Sequence, residues 1–265
     1  MSRTDPTFQV AFLFHDDIDL LTRILPRSLA AFTAGTRESF EVVLHCDGTP
    51  PDVFAQLPRL ATEWGVDELR WHRRHRHVAS GDPSNNGHRR LFTTRSPYLI
   101  VLEADVVAYR TETTFDPLHA TRQLFERHRD VPVLSTVADS WQWAWRLTDL
   151  GAPVEAGVRS TNRLSTHFIA YAMDRFVPAA TSFGAFDLDV FIDREDLSYN
   201  WEDLVSHVAT TGGRRIAFAD GWPLNVYHCD RKIVPASMHH TRDRSVRLGV
   251  LDELEAKYAP SGVTA

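Results

Sequence analysis

Four short strand-like runs, set apart by segments of helical periodicity, constrain this chain more than any other feature of its sequence. Phe8–Phe14, Phe40–His45, Leu69–His72 and Tyr98–Leu102 are each the length of a strand. Between the first two, Leu20, Leu21, Ile24, Leu25, Leu29 and Phe32 recur at mostly three- and four-residue spacing, which predicts a helix over Ile18–Phe32. Pro26 interrupts that stripe and predicts a kink or a new helix start. Pro51–Trp64, closed by Gly65, and Ser84–Thr94 read as two further helices. Strands alternating with helices imply right-handed crossovers and a mostly parallel sheet covered on both faces, an α/β fold.

Beyond residue 110 the texture is less regular. Leu118–His128 predicts a helix, Val131–Thr136 a strand, Thr166–Met173 a strand, Trp201–Thr211 a helix, Arg215–Ala219 a strand and Asp243–Tyr258 a last helix. No repeat and no Pro/Gly/Ser-rich linker divides the chain, so a single domain over 1–265 with two lobes is expected. At 265 residues, with 43% hydrophobic and 24% charged, the chain can bury one large core, and disordered or collagen-like classes are excluded. With 29 basic against 35 acidic residues it carries a net charge of -6, opposite to what general phosphate neutralisation needs, so no nucleic-acid partner is expected. Cys46 and Cys229 are the only cysteines; they form no zinc-ribbon spacing and suit a reducing compartment. The polar start of the chain has no signal-type stretch, and no apolar run approaches the roughly 20 residues of a membrane span. The expectation is a soluble, cytoplasmic protein.

In an open parallel sheet, ligands bind at the carboxyl ends of the strands. His15, Asp16 and Asp17 follow the first run; Cys46, Asp47, Gly48 and Thr49 follow the second. After the third come a basic stretch and then Asn85, Asn86, Gly87, His88, Arg89 and Arg90. Glu103, Ala104 and Asp105 follow the fourth. Two carboxylates two residues apart in extended chain point the same way. That suits a hard divalent cation, or else a solvated turn. Asp47-Gly48-Thr49 is either an ordinary turn or a hydrogen-bond acceptor for a ribose or base. Glu202 and Asp203 open a predicted helix, where acidic residues favour the dipole or supply a general base. His228 could complete a metal site, with His15, His239 and His240 as rivals. The basic stretch Arg70–His77 reads as a solvated loop or an anion site, and Trp141, Trp143 and Trp145 as packing residues or a sugar platform.

The order of these features resembles the nucleotide-sugar glycosyltransferases of the GT-A fold, especially the large family 2 group. The resemblance is densest over Phe8–Tyr109 and returns over Gly184–His228. It implies a Rossmann-like, mostly parallel central sheet flanked by helices, with a nucleotide-sugar-binding half over 8–109 and a C-terminal acceptor-binding half over 110–265. By the same resemblance, donor contacts fall to His15, Asp16, Asp47, Asn86, Arg90, Glu103 and Ala104. A divalent metal, Mn2+ or Mg2+, falls to Asp105 and His228 with Glu103; the base is Asp203 beside Glu202; and acceptor contacts fall to Gly184, Trp201 and Trp143. Glutamate stands at 103 where the family's motif usually has aspartate, one methylene shorter. The activity implied is metal-dependent, inverting transfer of a sugar from a nucleoside diphosphate to a hydroxyl or other nucleophile on a small molecule, natural product or peptide. Two alternatives stand beside it. A nucleotidyltransferase acting on a sugar phosphate is poorly served by the acidic, glycine-free loop His15-Asp16-Asp17-Ile18-Asp19, which would repel a triphosphate. A non-catalytic nucleotide-sugar-binding protein would keep the same fold.

Overall fold

The computed structural model describes residues 5–72, 90–136, 150–164, 167–186, 201–229 and 244–258, with the side chain of Asp203 outside that description. Along the chain run β1 (Phe8–Phe14), α1 (Ile18–Thr33), β2 (Phe40–Asp47), α2 (Pro51–Phe54), α3 (Leu57–Trp64), β3 (Glu68–His72), β4 (Tyr98–Glu103) and β5 (Val106–Arg110). They are followed by α4 (Pro117–Arg127), β6 (Val133–Ser135), β7 (Pro153–Glu155), β8 (Val158–Thr161), β9 (Phe168–Ala172) and α5 (Met173–Phe183). The last elements are α6 (Trp201–Thr210), β10 (Ile216–Phe218), β11 (Leu224–His228) and α7 (Arg244–Tyr258).

Local chemistry sets most of these bounds. The Asp17 carboxylate accepts from the Leu20 amide at 3.1 Å and so starts α1. That helix continues through Pro26 to Thr33 as one element, rather than restarting there. The single helix expected over Pro51–Trp64 divides at Ala55–Gln56, because Pro58 sits in the first turn of α3, where a missing amide costs nothing. Of the helix expected over Ser84–Thr94, the described part is one 3-10 turn, Arg90–Thr93.

Nine strands form the central sheet in the order β3-β2-β1-β4-β9-β6-β10-β8-β7. Seven of the nine run in one direction, and only β8 and β9 oppose them. Leu21, Leu25 and Phe32 of α1, with Leu118, Leu124 and Phe125 of α4, pack on one face of the sheet. Phe176 and Ala180 of α5, with Leu204, Val205 and Val208 of α6, pack on the other. A separate two-stranded sheet, β11-β5, is closed by Leu20 and Ile24 of α1 and Leu251 of α7. No helix among the described residues is long and apolar enough to cross a membrane.

The β7–β8 hairpin depends on a close backbone approach. Gly157 lies in its turn at φ 71°, and its carbonyl accepts from the Gly221 amide at 3.1 Å. A Cβ on Gly221 would stand 2.8 Å from the Gly157 Cα, with only backbone to yield. Gly221→Ala is therefore expected to destabilise the fold by about 1–3 kcal/mol, the usual cost of overpacking. Urea unfolding checks this: the midpoint should fall with an unchanged slope.

Candidate functional site

The site is assembled where the two sheets part. β4 ends at Glu103, the chain turns through Ala104 and Asp105, and β5 begins at Val106. The Ala104 amide donates to the Leu13 carbonyl at 2.9 Å, which extends the β1–β4 ladder into the turn and fixes it. β9 returns antiparallel to β4 with Leu102 opposite Phe168, so His167 arrives beside Glu103. β11 runs antiparallel to β5 with His228 opposite Val106, so His228 arrives beside Asp105. The Cys229 amide donates to the Asp105 carbonyl at 2.8 Å and clamps that second approach.

Two histidines therefore flank the acidic turn. Their rings stack, with centroids 4.4 Å apart and planes 8° from parallel. His167 Nδ1 lies 3.4 Å from Glu103 Oε2, and His228 Nε2 lies 3.1 Å from Asp105 Oδ2. Arg247, from α7, places its Nη2 3.6 Å from the same Asp105 oxygen. Each of Glu103, His167 and His228 offers one ligand atom within 4.8 Å of the other two. Both imidazoles are buried, whereas the Glu103 and Asp105 side chains are 21% and 22% exposed, so the cluster opens on one side. Burial favours a neutral Asp105, but His228, with Arg247 behind it, outweighs that and holds the carboxyl down to about 2. Burial and the neighbouring His228 lower the pKa of His167, against the pull of Glu103, and favour the neutral ring that a metal needs. One carboxylate oxygen and two imidazole nitrogens form a donor set that fits a first-row divalent ion.

The expected donor residues gather at the neighbouring strand ends. His15 Nδ1 contacts the Asp47 carbonyl oxygen at 2.9 Å, across the β1–β2 pairing. Asp47 is 3% exposed and is followed by Gly48, whose amide donates to the His72 carbonyl at 2.7 Å. Asp16 is exposed beside His15. Behind them His45 is fully buried and stacks on His72, with centroids 5.5 Å apart. Burial, then the charges of Arg90 and Arg70, lower the pKa of His72. Asn86, Trp143, Trp141, Trp145, the stretch 73–77, His239 and His240 lie outside the described residues.

The acceptor side departs from expectation. Trp201 is 2% exposed, and its indole N–H donates to the Tyr171 hydroxyl at 3.3 Å inside the core. It is a packing residue of α6, without the exposed face an acceptor contact requires. Glu202 is also buried, and Asp203 occupies the same first turn. Gly184 takes φ 77° as the left-handed cap that ends α5, a local backbone role. Among the expected metal residues, Glu103 and His228 converge, and Asp105 stands against His228 outside the converging three. His167 and Arg247 were not anticipated. His167 is one of 13 histidines, and only the β4–β9 pairing gives it a place.

No protein-family model matches the chain. No curated protein matches it either. Solved structures do. GalNAc-T7, crystallised with UDP, GalNAc and Mn2+, matches at 13% identity over 86% of this chain and 44% of its own, with a TM-score of 0.53. TarS from S. aureus, as a 1–349 fragment, matches at 16% identity over 83% of this chain and 60% of its own, with a TM-score of 0.50. This chain has the GT-A fold. The apo structure of the bifunctional glycosyltransferase WbbM agrees, at 12% identity over 81% of this chain and 39% of its own, with a TM-score of 0.50. The chain thus spans 60% or less of the length of these structures. Within its own GT-A sheet, the acidic turn lies at the carboxyl ends of the parallel block β3-β2-β1-β4, where α/β folds bind ligands.

Proposed function

We propose that this GT-A chain is a metal-dependent glycosyltransferase that moves a sugar from a nucleoside diphosphate to an acceptor nucleophile, with inversion. The observation that carries this reading is the Glu103-Ala104-Asp105 turn at the end of β4, flanked by His167 and His228. The presence of UDP, GalNAc and Mn2+ in the GalNAc-T7 crystal supports it. Residues 8–109 bind the donor and residues 110–265 receive the acceptor. Two free, buried cysteines suit a cytosolic setting.

When bound, a divalent ion supplies positive charge against the departing diphosphate. Glu103 and His228 fit its holding, Glu103 by a carboxylate oxygen and His228 by an imidazole nitrogen. The Asp47 and His15 pair orients the base or ribose at the adjacent strand ends. Arg90 and Arg247 add fixed positive charge where the bond between the anomeric carbon and the phosphate oxygen breaks and its electron pair leaves with the diphosphate. The sugar gains oxocarbenium character as that bond lengthens. Asp203 takes the proton of the acceptor nucleophile, which forms its bond to the anomeric carbon from the opposite face.

A thermal-shift panel of nucleoside diphosphates with and without Mn2+ tests the reading. Ligand at about 100 times its Kd stabilises the native state by about 2.7 kcal/mol, which raises the midpoint by roughly 5–10 °C for a chain of this size. One diphosphate with Mn2+ is expected to give that shift, and the matching nucleotide sugar to be slowly hydrolysed. A flat panel without hydrolysis would overturn the proposal. Pyrophosphate release from a nucleoside triphosphate and a sugar phosphate would replace it with nucleotidyl transfer.

A further inference from the structure

We infer that His72 is a further nucleotide-binding residue of this chain and that His45 is its positioning residue. His45 sets the His72 ring to present its Nδ1–H to an acceptor oxygen on the base or ribose. The inference rests on the transferase reading above and adds a nucleotide contact absent from those named there.

Strand register brings the residues together. In the parallel pairing of β2 with β3, His45 stands opposite Arg70, and Asp47 opposite His72. Alternation along the strands puts these four on one face of the sheet, while Leu44, Cys46 and Leu69 join the core on the other. The His72 carbonyl takes the Gly48 amide at 2.7 Å, and the His15 ring contacts the Asp47 carbonyl at 2.9 Å. His72 thus borders the strand ends given above to the nucleotide, and its side is half-buried rather than sealed.

The two imidazoles are joined by a hydrogen bond. Their planes are 14° from parallel, their centroids 5.5 Å apart, and His45 Nδ1 lies 3.3 Å from His72 Nε2. The centroids are farther apart than these nitrogens by about a ring's width. The nitrogens therefore face each other between the rings, where an N–H and a lone pair point. Burial and nearby positive charge favour the neutral form of both rings, so one nitrogen donates and the other accepts.

The far nitrogen of His45 decides the direction. Nε2 is buried and has no hydrogen-bond partner. An orphaned buried N–H is rarer in folded chains than an unused acceptor. The guanidinium of Arg70, itself bonded to Glu68 and Thr93, adds positive charge that disfavours a proton there. His45 therefore carries its proton on Nδ1 and donates it to His72 Nε2. His72 then carries its own proton on Nδ1, which has no partner among the described residues. The pair thus holds a fixed donor at the end of β3, matched to a carbonyl or hydroxyl oxygen.

The experiment reads protons rather than turnover. The full chain is isotope-labelled at histidine, and long-range proton–nitrogen correlation spectra give the tautomer of each ring, with His45→Leu and His72→Leu assigning the two. Wild type is expected to show Nδ1–H on both. Saturation with UDP, or with GDP if UDP gives no thermal shift, should move the His72 Nδ1–H signal; Mg2+ replaces Mn2+ to avoid paramagnetic broadening. His72→Leu should weaken that diphosphate roughly 3–10-fold, the worth of one neutral hydrogen bond. His72→Asn, whose side-chain amide reaches the same place, should stay within about 2-fold of wild type. In His45→Leu the His72 ring should exchange between both tautomers. Circular dichroism screens the variants for folding, and His45→Gln makes the assignment if His45→Leu fails. Nε2–H on His72 in wild type, a Nδ1–H signal unmoved by a diphosphate that raises the unfolding midpoint, or His72→Leu binding as tightly as wild type would overturn the inference. If no diphosphate binds, the transferase reading falls and the nucleotide contact with it, while Nδ1–H on both rings of the unliganded chain would keep the orienting role of His45.

Discussion

Asp203→Asn is expected to lower sugar transfer by about 10²- to 10⁴-fold, the usual contribution of a positioned general base. The substitution removes a proton acceptor and keeps nearly the same volume, so the fold should survive. Asp203 lies in the first turn of α6, whose neighbours Trp201, Leu204, Val205 and Val208 are buried against the sheet and set the helix in place. In the proposed mechanism the base takes no part in donor binding. The diphosphate-induced thermal shift should therefore persist in the variant while acceptor-dependent turnover collapses. Turnover within a few-fold of wild type, with the shift intact, would remove Asp203 from the role of base. Loss of the shift together with activity would mark the change as structural.

The second large effect is on stability in acid. His45 is fully buried on β2, and burial, reinforced by Arg70 and His72, pushes its pKa down from the ordinary 6.5 to about 3. The folded chain thus keeps the ring neutral at pH values where the unfolded chain takes up a proton. Between pH 6.5 and about 3 the unfolded state binds more protons at this position, so stability rises with pH across that window and falls as pH drops through it. The slope approaches about 1.4 kcal/mol per pH unit, so wild type should lose roughly 2–3 kcal/mol between pH 6.5 and 4.5 from this residue alone. His45→Gln cannot titrate. Urea unfolding of the two chains from pH 7 to 4.5 should give curves that converge as pH falls, because only wild type carries the added loss. Parallel curves would mean that the imidazole is reached by water and protonates in place.

Much of the first half of the fold was legible because local and global requirements coincide there. β1 has the bounds of its apolar run, Phe8–Phe14, since it pairs with β2 and β4 and is packed on both faces. α1 starts where Asp17 caps it. Elements that escaped the sequence have identifiable causes. β5 follows the apolar run of β4 after only two residues, and β7 and β8 are three and four residues long. α5 carries Pro178 within it, and its first residue had been assigned to the preceding strand. The site divides in the same way. Acids closing an apolar strand marked Glu103 and Asp105, but His167 enters through an antiparallel return, which strand-helix alternation does not foretell. The family resemblance puts Trp201 on the acceptor side. Its spacing with Leu204, Val205 and Val208 is that of a buried helical stripe, and the stripe decided its position.

The three converging side chains sit at positions 103, 167 and 228, and the last two reach the first only through strand pairings. A ribosome releasing this chain therefore exposes fewer than three of them until β11 has emerged and docked on β5. Small zinc modules gather their ligands from neighbouring residues and use the ion to drive collapse. Here the order is reversed: the sheet must close before these side chains meet, so an ion taken at the proposed site is captured after folding and does not drive it.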